Sequence, residues 1–182
     1  MSPSRTRLFQ STRWLALAAA TALVACACSD EHGSQADPIS NDPVVFEGDA
    51  NDAQYDTFQQ KEPRDWAWAG GRFDAPDDDE TLAAATPSTF AWHADPADFA
   101  QGGAAGDVVM THRLLFSAPS QARLLEVFST LSDYTPDAIS WQKLVEAREA
   151  INVSLTTGTF VGDDLPDDGG PFIGQTLTFT IE

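Results

Sequence analysis

Basic side chains are scarce in this chain. Its 182 residues contain 28 aspartates and glutamates against 10 lysines and arginines, which gives a formal net charge of −18 at pH 7. Proteins bind nucleic acid largely through lysine and arginine side chains that replace counterions, so this composition argues against a nucleic-acid partner. It also argues against electrostatic adsorption on anionic lipid.

The chain also lacks an apolar run long enough to span a membrane. The uncharged apolar run at residues 14–25 is 12 residues long, whereas a membrane-spanning helix needs about 20. It follows a segment that carries Arg5, Arg7 and Arg13 and no acidic residue. A positive segment before a short apolar run is typical of a secretory signal peptide, here residues 1–25.

A short motif closes this apolar run. Leu23-Val24-Ala25-Cys26 places an aliphatic residue and two small ones directly before a cysteine, and it resembles the lipobox of bacterial lipoproteins. The resemblance implies that Cys26 begins the mature chain and carries acyl chains on its thiol and its amine. Two or more chains give stable anchoring. Ala27 in place of Asp then implies the outer membrane of a Gram-negative bacterium. Ordinary secretion is one alternative, and lipidation of Cys28 behind the less suitable Ala25 is another.

The two cysteines are the only ones in the chain. Acylation of Cys26 leaves no intramolecular disulfide, so the fold must be held by its hydrophobic core, for which about 100 residues suffice. Residues 26–182 keep all 28 acidic side chains but seven basic ones, a formal charge of −21. Residues 26–43 are polar, acidic and interrupted by proline, which predicts a flexible tether.

Residues 44–86 form a poorly defined extension that can supply the first strands of a domain. Val44-Val45-Phe46 and Asp65–Ala69 each fit a short strand, and residues 77–80 fit a loop.

Residues 87–182 show the period of two that is typical of β-strands. Predicted inward-facing residues are Phe90, Trp92, Val108, Met110, His112, Leu114, Phe116, Ile151, Val153, Leu155, Ile173, Leu177, Phe179 and Ile181. Residues 120–131 fit either a helix or a strand. Residues 136–147 predict a short helix capped by Thr135.

This order of elements resembles a fibronectin type III or immunoglobulin-like β-sandwich, an all-β fold, over residues 87–182. The residues that carry the resemblance are Pro87–Trp92, His112–Phe116, Tyr134-Thr135-Pro136, Trp141–Leu144 and the last two strands. The chain departs from the pattern because the strand at 149–157 lacks an initial tyrosine and the inter-sheet cysteines are missing. The resemblance implies an adhesive, binding or spacer module without a shared catalytic residue.

One acidic loop suggests a cation site. Asp163, Asp164, Asp167 and Asp168 could supply oxygen ligands to calcium, although Leu165 and Pro166 interrupt the usual ligand spacing. Residues 77–80 form a second acidic cluster. The simpler interpretation is a pair of solvated loops in an acidic protein.

Aromatic and histidine side chains are the other candidates. Trp66 and Trp68 can stack on a sugar or on a partner protein, whereas Trp92 and Trp141 fit core positions. His93 and His112 could bind a transition metal only if strands bring them together, and a third ligand is missing. His112 fits better as a hydrogen-bonded residue of the sheet.

The motifs of common catalytic sites are absent from the sequence. The sequence therefore predicts a lipoprotein of the cell envelope that is not an enzyme and serves as an interaction or scaffold module for an unidentified protein or polysaccharide. The alternative is a module that binds carbohydrate or calcium through Trp66, Trp68 and the acidic loops.

Overall fold

In the computed structural model of this protein, the described residues are 43–65, 70–94 and 108–182. The strands are β1 (Val45–Glu47), β2 (Arg64–Asp65), β3 (Arg72–Ala75), β4 (Glu80–Leu82), β5 (Phe90–His93), β6 (Val108–Ala118), β7 (Gln121–Ser129), β8 (Asp133–Tyr134), β9 (Ile151–Val161) and β10 (Phe172–Ile181), and the helices are α1 (Asp52–Gln59) and α2 (Ala138–Ala147). The predicted all-β character is confirmed in these residues.

The strands of the described residues form two sheets. The larger has seven strands in the order β1-β7-β6-β9-β10-β2, with β4 also pairing with β10. Its four long strands, β7, β6, β9 and β10, pair antiparallel, whereas β1, β2 and β4 add to its edges in parallel. The smaller sheet has the order β3-β5-β8.

The main core lies between the inner faces of the two sheets. Phe90 of the smaller sheet packs edge-on against Phe116 of β6, with ring centroids 5.0 Å apart, and lies 5.3 Å from the ring of Phe179. All three rings are fully buried. The predicted core positions of Trp92 and Trp141 are confirmed, because their side chains are 2% and 4% exposed.

Residues 120–131, which fit either a helix or a strand, contain β7. Leu125 and Val127 face the main core, while Glu126 and Phe128 lie on the opposite face. This segment forms a strand and not a helix because its alternate side chains have apolar partners on both faces of the sheet.

The prediction of an inward-facing side chain is wrong at Val108, which is 59% exposed at the start of β6, and at Ile173. The pairing of β10 with β9 shifts by one residue between Ile173 and Thr176. Such a bulge reverses the face on which side chains point, so Phe172 is buried and Ile173 is 50% exposed.

The short helix near residue 140 is confirmed, but its predicted cap is wrong. The side chain of Asp137 accepts a hydrogen bond from the backbone N–H of Ser140 at 2.6 Å. The Thr135 hydroxyl instead lies 2.7 Å from the Thr89 hydroxyl. An aspartate directly before the first helical residue satisfies a free N–H of the first turn, which a residue two positions earlier cannot do.

Residues 44–86 supply β1, α1, β2, β3 and β4. Their strands are hydrogen-bonded into both sheets. No helix among the described residues is long and apolar enough to cross a bilayer.

Candidate functional site

Three of the predicted site residues lie outside the described residues. They are the lipidation site Cys26 and the proposed ligand-binding residues Trp66 and Trp68. The signal peptide and the tether at residues 26–42 lie outside them as well.

The acidic loop between β9 and β10 is described in full, and all four of its aspartates are exposed. Two basic side chains that precede it in sequence by about a hundred residues hold it in place. The ammonium group of Lys61 donates to the backbone oxygen of Leu165 at 2.5 Å and to Oδ1 of Asp167 at 3.2 Å. The guanidinium of Arg64 donates to the backbone oxygen of Asp167 and lies over the ring of Phe172. The loop therefore already has cationic partners from its own chain.

The second acidic cluster forms a tight turn against β10. Oδ1 of Asp78 accepts from the backbone N–H of Thr178 at 2.8 Å, and a carboxylate oxygen of Glu80 accepts from the N–H of Asp77 at 2.9 Å. These carboxylates hold the turn and the start of β4 beside the sheet edge. Within the described residues, no group of three or more acidic, histidine or cysteine side chains could hold a metal ion.

The two histidines of the described domain have different environments. His93 is exposed, and its Nδ1 lies 2.8 Å from a carboxylate oxygen of Asp74 on the neighbouring strand. His112 lies in the larger sheet and is 4% exposed. Its Nδ1 is 3.2 Å from the hydroxyl of Thr157, and that hydroxyl donates to the backbone oxygen of Gly70 at 2.9 Å. The prediction of a hydrogen-bonded sheet histidine is confirmed.

Burial decides the charge of His112. It lowers the pKa of the ring to about 4, because an imidazolium without water or a carboxylate beside it is poorly stabilised. The ring is therefore neutral at pH 7. The ring of Trp92, a residue of the main core, packs edge-on against it with ring centroids 5.5 Å apart. This histidine therefore packs against the main core.

One cleft among the described residues is lined in part by residues that flank the predicted tryptophan site in sequence. It measures about 450 Å³ and is lined by Asp65, Gly70, Gly71, Arg72, Ile173, Gly174 and Gln175. Asp65 and Gly70 directly flank residues 66–69, which contain Trp66 and Trp68. The lining combines a carboxylate, a guanidinium, an amide and one exposed aliphatic side chain.

Glycine makes the floor of this cleft possible. A Cβ on Gly70 would lie 1.9 Å from the backbone oxygen of Ile173, and a Cβ on Gly174 would lie 1.9 Å from that of Gly70. Only residues without a side chain allow the two backbones to approach this closely. The β-bulge that follows Ile173 turns its side chain out of the core and into the cleft. Bulges often redirect a side chain in this way next to binding sites.

Gln175 fixes the position of β3 beside the cleft. Its backbone N–H donates to the oxygen of Gly71 at 3.0 Å, and its side-chain oxygen accepts from the N–H of Phe73 at 3.0 Å. The sequence interpretation missed Gln175 and Arg72. The glycine pair Gly70-Gly71, which begins two residues after Trp68, was the available signal, because glycine within a strand pattern often marks a close backbone approach.

The sequence interpretation also missed a buried ionic network on the outer face of the larger sheet. Glu126 is 1% exposed, and its Oε1 accepts from Arg113 at 2.6 Å, from the Tyr55 hydroxyl at 2.8 Å and from Gln59 at 3.0 Å. Oε2 lies 2.9 Å from Nε of Arg123, an ion pair outside good hydrogen-bond geometry. Burial, and then the hydrogen bond to Glu126, raise the pKa of Tyr55. A glutamate inside the run Leu124-Leu125-Glu126-Val127-Phe128 was the signal, since a buried charge requires partners.

Comparison with protein-family models, with curated proteins and with solved structures finds no significant match for this chain. Its function must therefore be inferred from its own residues.

Proposed function

We propose that this protein is a lipoprotein, anchored at Cys26 in the bacterial outer membrane, whose β-sandwich serves as a non-enzymatic interaction module. The observation that carries the proposal is the lipobox-like Leu23-Val24-Ala25-Cys26 directly after a short apolar run. Acyl chains fix such a chain to the membrane, and the acidic tether at residues 26–43 gives the domain reach.

The surface charge of the domain supports covalent rather than electrostatic attachment. All seven basic residues after residue 25 belong to the described part of the chain. Among them, Lys61 and Arg64 hold the acidic loop, and Arg113 and Arg123 surround Glu126. With 28 acidic residues against these seven basic ones, residues 26–182 carry a large negative charge, and anionic lipid would repel them.

The strand order supports the assignment to the fibronectin type III kind of sandwich. If β3, β5, β6, β7, β8, β9 and β10 are taken as seven successive strands, the smaller sheet contains the first, second and fifth. The larger sheet places the seventh, sixth, third and fourth side by side. Fibronectin type III domains divide their strands between two sheets in this way, and they commonly act as adhesive or spacer modules.

Metabolic labelling with an alkyne fatty acid in a Gram-negative host tests the anchor. We expect the full chain to incorporate the label and Cys26→Ser to abolish it. The matched control is Cys28→Ser, which removes the neighbouring thiol and should keep the label. Label on Cys26→Ser, or its loss in Cys28→Ser alone, would overturn the assignment of Cys26.

A second candidate function is carbohydrate binding, which is favoured by the cleft of about 450 Å³ whose lining residues Asp65 and Gly70 flank residues 66–69 in sequence. Planar polar groups such as those of Asp65, Arg72 and Gln175 suit hydroxyl groups, and Trp66 and Trp68 would supply stacking surfaces. Calcium in the acidic loops is the associated metal hypothesis. A polysaccharide pull-down with and without chelator tests both, with Trp66→Ala and Trp68→Ala as variants. If the polysaccharide retains the protein and the tryptophan variants abolish this binding, carbohydrate binding is favoured over the scaffold role. If the chelator abolishes the binding, calcium is part of the site.

A further inference from the structure

Residues 44–65, here called the strap, cross the outer face of the larger sheet from one side to the other. At one edge β1 pairs in parallel with β7, and at the other β2 pairs in parallel with β10. Between them α1 lies on the sheet, where the ring of Phe58 packs 5.3 Å from that of Phe128 and 6.5 Å from that of Phe160. The strap therefore covers a face as well as two edges.

The elements of the strap are short. β1 has three residues, β2 has two and α1 has eight. Helices shorter than about 12 residues are marginal in water without tertiary contacts. The strap is therefore ordered because it is docked on the sheet.

Most apolar contacts of the strap are separate from the main core, and the exception is Val45 of β1, which packs against it. Phe58, Phe128, Phe160 and Leu165 form one buried cluster, and none of them belongs to the cluster between the sheets. Because alternate residues of a strand face opposite sides, removal of the strap would take only the half-buried Val45 away from the packing between the two sheets.

Glu126 links the strap to the sheet in a way that permits release. Tyr55 and Gln59 of α1 donate to its carboxylate. Arg113 and Arg123 reach the same carboxylate from the sheet itself. If α1 leaves, Glu126 keeps both arginines, so opening does not leave an uncompensated buried charge, which would be the costly outcome.

We propose that the strap opens as a unit while the two-sheet sandwich stays folded, and that opening uncovers an apolar face formed by Phe128, Phe160 and Leu165. Local opening of this kind occurs where an element has few contacts and its loss leaves the rest of the core intact. The hydrogen bonds of Tyr55 and Gln59 to Glu126, together with those of Lys61 and Arg64 to the loop between β9 and β10, set how often the strap opens. The proposal depends on neither the lipid anchor nor the cleft.

Hydrogen exchange of the full chain in detergent, followed by mass spectrometry, tests this proposal. In the unaltered chain, we expect the amides of α1 and β1 to exchange at least tenfold faster than those of β6 and β9. Tyr55→Phe keeps the ring and removes only the hydroxyl that donates to Glu126. It should speed exchange in the strap about tenfold further, the effect of one lost hydrogen bond to a charged group, and leave β6 and β9 unchanged.

Thr57→Ala is the matched control. Thr57 lies on the same helix and is half-buried, but its hydroxyl donates to the backbone oxygen of Ala53 and not to the sheet, so strap exchange should stay near that of the unaltered chain. A hydrophobic dye should bind Tyr55→Phe more strongly than it binds the unaltered chain or Thr57→Ala, because more of the apolar face is uncovered. Equal rates in the strap and the sandwich, or a rise in both regions together, would overturn the proposal. So would unchanged exchange in Tyr55→Phe.

Discussion

The two faces of the larger sheet are built in different ways. The inner face is closed by the smaller sheet, and the side chains that fill the space, such as Leu114, Phe116, Val153 and Phe179, are fully or almost fully buried and apolar. The outer face is closed by the strap, and it mixes an aromatic cluster with the buried carboxylate of Glu126.

This difference indicates a division of tasks between the faces. Long strands bury a continuous apolar surface on the inner side, and such a surface supplies most of the free energy of folding. The short elements on the outer side bury less, and their position is specified by polar contacts that need a defined geometry. We therefore expect the inner face to determine global stability and the outer face to determine local order.

The largest expected effect is the loss of an inner aromatic ring. Phe116→Ala should lower the free energy of unfolding by about 3–5 kcal/mol, because a fully buried ring leaves a cavity between two rigid sheets. Phe58→Ala, the matched change on the outer face, should cost less because that ring anchors only the strap. Denaturant unfolding measures both, and equal losses would break the distinction between the faces.

A pH-dependent loss of stability should follow from His112 on the inner face. Its pKa is about 4 in the folded protein and about 6.5 in the unfolded chain. Below pH 6.5 the unfolded state binds the proton more readily, so the stabilisation present above pH 6.5 declines as the pH falls toward 4, by about 3 kcal/mol in total.

Unfolding midpoints of the unaltered chain and of His112→Asn between pH 7 and 4 give the measurement. The variant should lack the part of the slope that begins near pH 6.5, while carboxylates elsewhere contribute equally to both proteins. Parallel curves would show that His112 is not the source.

On the outer face, Glu126→Gln should lower the free energy of unfolding by about 2 kcal/mol. The change leaves Arg113 and Arg123 without their shared negative charge, and breaking a buried ion pair is costly. The partial exposure of the two arginines, about 20% each, keeps the loss below that of a fully buried pair. Glu146→Gln on the exposed side of α2 is the control and should change stability by less than about 0.5 kcal/mol. A loss no larger than that of the control would show that the network contributes nothing.

The smallest expected effect concerns the surface of the larger sheet on which the strap packs. A Cβ on Gly158 would lie 2.8 Å from Cε2 of Phe58, so Gly158→Ala should destabilise the docked strap by about 1–2 kcal/mol through overpacking. Phe58→Leu removes that ring atom, so the double variant should recover part of the loss in a double-mutant cycle. Additive losses would place the clash elsewhere.

The strands were predictable from the sequence wherever one face is apolar and the pattern is regular. Ile151, Val153 and Leu155 alternate with polar residues, and all three are buried as expected. Ile173 broke the pattern because the inserted residue of a bulge leaves no mark in a period of two. The sequence interpretation missed α1 because eight residues offer only Tyr55 and Phe58 as an apolar stripe.

The candidate site was less predictable, because its contacts join distant parts of the chain. The aspartates near residue 165 suggested a calcium loop, and no local pattern indicated that Lys61 and Arg64 donate hydrogen bonds to this loop. The cleft depends on Gly70 meeting Gly174, a pairing that no local pattern contains.

The proposed role at the membrane is tested most directly by cell fractionation in a Gram-negative host. Membranes bearing the full chain or Cys26→Ser would be washed with concentrated salt, which removes proteins held by charge. The account predicts that the full chain stays with the outer membrane and that Cys26→Ser appears in the soluble fraction. Release of the full chain, or retention of Cys26→Ser on the membrane, would contradict it.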